Sequence, residues 1–118
     1  MRAACGLVLA GVALAASGDP KFFDRRIAPI VRAHCLGCHN DQLKDGGISF
    51  QNRASLLKGG PHGPAIVPGY PDKSFLMHAV KQDGEIMMPP GGKLSSADVA
   101  TLKEWIERGA PWGAKLQP

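Results

Sequence analysis

The sequence predicts an all-α fold, and three observations carry the prediction. Apolar residues recur at helical spacing near both ends of the chain, and capping residues stand where those periods start and stop. No stretch alternates apolar and polar residues for long enough to specify a strand.

The first segment is set apart from the folded part. Arg2 gives a short positive start, Ala3 to Ala16 form an apolar run, and Ala13-Leu14-Ala15 offers the small residues a signal peptidase needs. Residues 1–17 therefore read as an export signal, because the run is shorter than the roughly 20 apolar residues that span a bilayer. Cys5 leaves with it, and the single domain is expected over residues 18–118. Formal charge is +4, about +3 without Arg2, and the basic residues are spread along the chain. That pattern gives no support to nucleic-acid binding.

Asp19-Pro20 reads as an N-cap followed by proline at the first helical position, with Phe23, Ile27, Ile30 and Val31 continuing at helical spacing to about His34. Pro29 lies inside the period, so the helix is expected to kink there or to begin a new turn. After a loop containing Gly46-Gly47, Asn52 caps a short helix to about Lys58, ended by Gly59-Gly60. Gly59 to Asp72 is dense in glycine and proline, and a loop this long in a compact domain is usually functional. Ser74 is placed to cap a helix carrying Phe75, Leu76 and Met77, which leads to a second loop from Gln82 to Gly92. The last helix is the best defined. Ser95 and Asp98 form a capping-box-like pair, Leu94 and Val99 can staple, Val99, Leu102 and Ile106 share one face, and Gly109 then Pro111 mark the end. The first and last helices are expected to cross on Phe23/Ile27 and Leu102/Trp105/Ile106.

Chemistry enters at Cys35-Leu36-Gly37-Cys38-His39. A C-x-x-C-H pentapeptide is the attachment site of a c-type haem, since two thiols on one turn can bond both vinyl groups of a porphyrin edge while the following histidine falls under the iron. A disulfide between the two cysteines would close only a tiny loop and constrain the unfolded chain little. A chain of about 100 residues buries a modest core, so a bound haem would supply much of the missing apolar mass, and the apoprotein is expected to fold poorly. The first long loop could then wrap the porphyrin, with Ile66 and Val67 packed on its face.

His39 is the proximal iron ligand on this reading, whereas His34 precedes the attachment turn and reads as a surface or packing residue. Candidates for the sixth ligand are Met77, His78, Met87, Met88 and His62. Pro89-Pro90 stiffens the chain after Met88, which favours it, and Met77 on its helix reads as core. Met87 competes, and because adjacent residues on an extended loop point to opposite sides, only one of the two can reach a metal.

The chain resembles the planctomycete-type cytochrome c domain, a relative of class I cytochromes c. The resemblance is carried by Phe23-x-x-x-Ile27-x-Pro29-Ile30, Cys35-x-x-Cys38-His39, Gly63-Pro64-Ala65-Ile66-Val67-Pro68-Gly69, Ser74, Met88-Pro89-Pro90, Leu94-Ser95 and Trp105-Ile106-x-x-Gly109-Ala110, over residues 22–112. It implies a small cytochrome c-like helical domain wrapped around one covalent haem c, with Cys35 and Cys38 as attachment points and His39 and Met88 as iron ligands. It also implies a one-electron carrier rather than an enzyme, exported to a bacterial periplasm. Its partners would be redox proteins, a membrane-bound respiratory complex among the candidates. Class I cytochromes commonly place a proline shortly after the haem histidine, its carbonyl accepting the ring N–H; residues 40–51 contain none, so another acceptor for His39 is expected.

Other classes are weaker. A haem-based sensor or a small redox enzyme subunit needs a labile sixth ligand. A zinc module built from Cys35, Cys38, His62 and His78 has intervals outside finger spacings, and a thioredoxin-like dithiol lacks the alternating strands and helices.

Overall fold

The computed structural model describes residues 18–118, and the expected leader, residues 1–17, lies outside them. Among the described residues the fold is helical, with no strand and two isolated bridges, His39 to Lys44 and Gly60 to Gly63. None of the described helices is long and apolar enough to cross a membrane.

The first helix, α1, is continuous but built in three parts: Pro20–Phe22 is α-helical, Phe23–Ile27 is a π-helical turn, and Ala28–His34 is α-helical again. Asp19 caps it, its carboxylate accepting from the Lys21 amide at 2.9 Å. Of the two expectations the fresh turn is what forms: a new α-helical segment begins at Ala28 with Pro29 in its first turn, and the turn before it widens, the Ala28 amide donating to the Phe23 carbonyl. A π turn makes room for a ring that would otherwise press on the carbonyl four residues back, and it needs no donor from proline.

Helix α2, Arg53–Lys58, starts at Asn52, whose side chain accepts from the Ser55 amide at 2.8 Å, and stops at Gly59 with φ 75°. Helix α3 is Phe75–Lys81. Ser74 precedes it but does not cap it. Its buried hydroxyl turns back, donating to the Tyr70 carbonyl at 2.9 Å and accepting from the Val67 amide at 2.8 Å. A loop donor and acceptor buried there need a partner more than the helix end does.

Helix α4, Ser96–Glu107, follows the sequence expectation most closely. Ser95 accepts from the Asp98 amide at 3.1 Å. At the other end the Gly109 amide reaches the Ile106 carbonyl and the Ala110 amide the Trp105 carbonyl, the paired bonds of a Schellman stop. Helices α1 and α4 pack together as expected: Phe23, Ile27, Leu102, Trp105 and Ile106 are all fully buried, and the Phe23 and Trp105 rings lie 5.7 Å apart. The Trp105 indole donates to the Pro111 carbonyl at 2.7 Å, which fixes the tail after α4.

The long Gly/Pro-rich segment is fastened to three helices rather than left free. Amides of Ala65 and Ile66 donate to Leu56 in α2, those of Phe75 and Leu76 at the start of α3 donate to Pro64 and Ala65, and Gly69 donates to Ile106 in α4 at 2.7 Å. Ile66 therefore enters the helix core, 1 % exposed, instead of lining a cofactor surface as expected.

Candidate functional site

The attachment pentapeptide follows α1 directly. The α1 end is tightened by the Cys35 and Leu36 amides, which both donate to Val31, and the Cys38 and His39 amides fold back to the Cys35 carbonyl at 3.3 and 3.1 Å. Both sulfurs are thus held on one turn, Cys35 half-buried and Cys38 exposed, and they are not joined to each other. Burial pushes the Cys35 thiol up to about 12, because desolvation penalises the thiolate.

His39 is oriented by the loop that follows. Asn40 shapes that loop, its side-chain oxygen accepting from the Gln42 and Leu43 amides and its amide donating to the Leu36 carbonyl. Asp45 then donates its backbone N–H to the Cys38 and Leu43 carbonyls and turns its own carbonyl to His39 Nδ1 at 2.7 Å. A carbonyl only accepts, so Nδ1 carries the proton and Nε2 keeps a lone pair in the neutral ring. This is the acceptor expected for His39 in place of a proline carbonyl, and the backbone of Asp45 supplies it. Gly46 and Gly47 make the turn possible with φ of 68° and 80°, and the edge of the His39 ring rests on Phe50, centroids 6.0 Å apart.

Cys35, Cys38, His39 and Met88 all line one cleft, which encloses roughly 1110 Å³ of empty space, part of it open to solvent. Its walls are mainly carbon: Ile48, Phe50, Ala65, Leu76, Val80 and Leu94 among them, with the backbone of Gly60 and Gly63. Gly60 has to be glycine, since a Cβ would strike the Gly46 carbonyl.

Met88 reaches the cleft from the second loop. Its amide donates to the Ala79 carbonyl of α3 at 2.9 Å, and its carbonyl accepts from the Gln82 side chain at 3.2 Å. Met87 is 54 % exposed and does not line the cleft, so the two neighbours part as alternation requires. Met77 is buried in the helix core. Both ring nitrogens of His78 are engaged elsewhere, Nε2 with the Asp72 carbonyl at 2.8 Å and Nδ1 with the Asp83 carboxylate at 3.3 Å. His62 lies on the cleft rim, stacked on Phe75 at 4.6 Å, and His34 is an exposed residue on the same rim. No three His, Cys, Asp or Glu side chains converge as a metal site among the described residues.

A mainly apolar cleft, with two thiols on one turn, an imidazole whose outer nitrogen is already committed and a thioether, has the donor set of a c-type haem site rather than of a zinc site. The residues present fit that group. The class is a cytochrome c-type haem protein. Residues 35–92 match the family described as Planctomycete cytochrome C, and the chain carries a planctomycete-type cytochrome c domain. The match runs from the first cysteine of the pentapeptide to the end of the Met88 loop, so it takes in both loops that line the cleft. No curated protein and no solved structure matches the chain.

Proposed function

We propose that residues 18–118 form a monohaem cytochrome c domain that carries one electron at a time between redox proteins. The observation that supports it is the gathering of Cys35, Cys38, His39 and Met88 into one apolar cleft from two separate loops. Cys35 and Cys38 would hold the haem as thioethers, and His39 Nε2 and the Met88 sulfur would ligate its iron. When bound, the haem supplies an Fe(III)/Fe(II) couple.

The chain's own residues do the tuning. A thioether favours the reduced state relative to a second imidazole, and the apolar walls disfavour the extra ferric charge, so both raise the potential. The Asp45 carbonyl acts in the opposite sense, since drawing on the Nδ1 proton makes the imidazole a stronger donor. The hydrogen bond from the Met88 N–H to the Ala79 carbonyl holds the loop in place, which supports persistent ligation over the labile sixth position a sensor or enzyme needs. No acid, base or nucleophile is required. Electrons would pass at the open side of the cleft beside the exposed Cys38, toward redox partners that include membrane-bound complexes. Residues 1–17 would direct export to the periplasm, where attachment of the haem takes place.

Absorption spectra of the oxidised and reduced holoprotein, expressed with haem-attachment machinery, test the ligand set. Met88→Ala is expected to abolish the low-spin ferric signature and Met87→Ala to leave it. A signature lost with Met87→Ala, or with neither, overturns the assignment.

A further inference from the structure

We infer that Gln82 is a positioning residue for the axial thioether: its side-chain amide clamps the 82–92 loop at two points and sets how firmly Met88 is held at the iron. The inference rests on the haem reading above and deepens it.

Gln82 Nε2 donates to the Met88 carbonyl at 3.2 Å and to the Gly92 carbonyl at 2.7 Å. Both partners are carbonyl oxygens, which accept and never donate, so the NH₂ end of the amide must face the loop and both of its hydrogens are used. The loop that carries the ligand is thereby closed across its base by one side chain. Met88 itself is tied on both sides, its N–H to Ala79 and its C=O to Gln82.

The backbone of Gln82 shows that the side chain is not there for the helix. It ends α3 in the left-handed region, φ 57° and ψ 42°, where glycine or asparagine is the less strained choice. Glycine has no amide, and asparagine is one methylene shorter. The strained glutamine supplies the one thing they lack, reach into the loop. Ordering the loop residues around an iron ligand opposes ligation through lost conformational freedom, and a clamp that keeps them ordered beforehand removes part of that opposition. Without it the thioether is off the iron for a larger fraction of the time, and an external ligand competes in proportion to that fraction.

The test is an imidazole titration of the ferric holoprotein, followed by absorption, for wild type, Gln82→Gly, Gln82→Glu and Met88→Ala. Reduction potential, thermal loss of the far-red Met-to-iron charge-transfer band and far-ultraviolet circular dichroism are read alongside. Gln82→Gly relieves the backbone and removes the clamp, so imidazole affinity should rise roughly tenfold and the band should melt at lower temperature while helix content is unchanged. Gln82→Glu, which keeps the side-chain length and the backbone restriction but cannot donate to two carbonyls, should do the same. If both Gln82 variants bind imidazole within about twofold of wild type while Met88→Ala binds it far more tightly, the clamp is overturned and the ligand assignment stands. If Met88→Ala itself binds imidazole no more tightly than wild type, both fall together.

Discussion

Replacing Arg53 by methionine should destabilise the whole domain without altering the haem site. Arg53 is the first residue of α2, and its half-buried guanidinium donates from Nε to the Ala110 carbonyl at 2.9 Å and from an Nη to the Gly109 carbonyl at 3.0 Å. These carbonyls lie just beyond α4, where backbone acceptors are left over and a positive charge is favoured. Hydrogen bonds from a charged donor contribute about 1.5–3 kcal/mol each, but the two share one guanidinium, and Gly109 is only half-buried, so water can replace part of the loss. A net cost of about 2–3 kcal/mol is expected for Arg53→Met, whose side chain keeps the apolar stem. For a domain of this size that corresponds to a fall in Tm of roughly 8–24 °C. Guanidinium denaturation of the holoprotein by circular dichroism should give a lower midpoint with an unchanged slope. A loss under about 0.5 kcal/mol would show instead that the bridge between α2 and α4 carries little of the stability.

Gly60→Ala would drive a methyl into the Gly46 carbonyl, so the first loop and the Asp45 turn must separate; a loss of about 1–3 kcal/mol and a changed chemical shift at the His39 ring proton in NMR are expected. Trp105→Phe leaves the buried Pro111 carbonyl without its donor and should lower stability by about 1–3 kcal/mol with the visible spectrum intact, checked by thermal melts. For His78 the Asp72 carbonyl, then the Asp83 carboxylate, raise the pKa above its ordinary value, so the protonated ring is the form that stabilises the fold. That contribution is complete below the unfolded pKa of about 6.5 and fades as pH rises through the higher folded value. Wild type should therefore exceed His78→Gln in stability more at about pH 6 than at about pH 9, by a few tenths of a kcal/mol for so exposed a pair, in paired denaturation curves.

The parts of this fold that are legible in the sequence are those set by local rules. Asn52, Ser95, Gly59 and Gly109 announce helix ends because capping depends on residue type within a few positions, and each sits where expected. The α1–α4 contact is legible because burial imposes a period on both helices. The parting of Met87 from Met88 follows from alternation alone. What is not legible is carried by atoms every residue has. The acceptor for His39 is a backbone carbonyl, and only the turn made by Asn40, Gly46 and Gly47 assigns it to Asp45. Gly46-Gly47 is the one trace of it in the sequence. Ser74 looks like a cap, yet its hydroxyl serves a loop whose needs depend on tertiary contacts. Ile66 reads as a cofactor contact, but anchoring of its amide to Leu56 carries it into the helix core. Pro29 is a helix breaker by rule, and the π turn that accommodates it is a choice among equally possible adjustments.

Covalent attachment of a haem through Cys35 and Cys38, on which the proposed function rests, is read by denaturing electrophoresis of the exported protein with haem staining and intact mass measurement. The expected result is a stained band whose mass exceeds that of the processed chain by one haem, with no thiol open to alkylation, and loss of the stain when both cysteines are changed to alanine. An unstained band of unmodified mass, with Cys35 and Cys38 free or joined to each other, would contradict it.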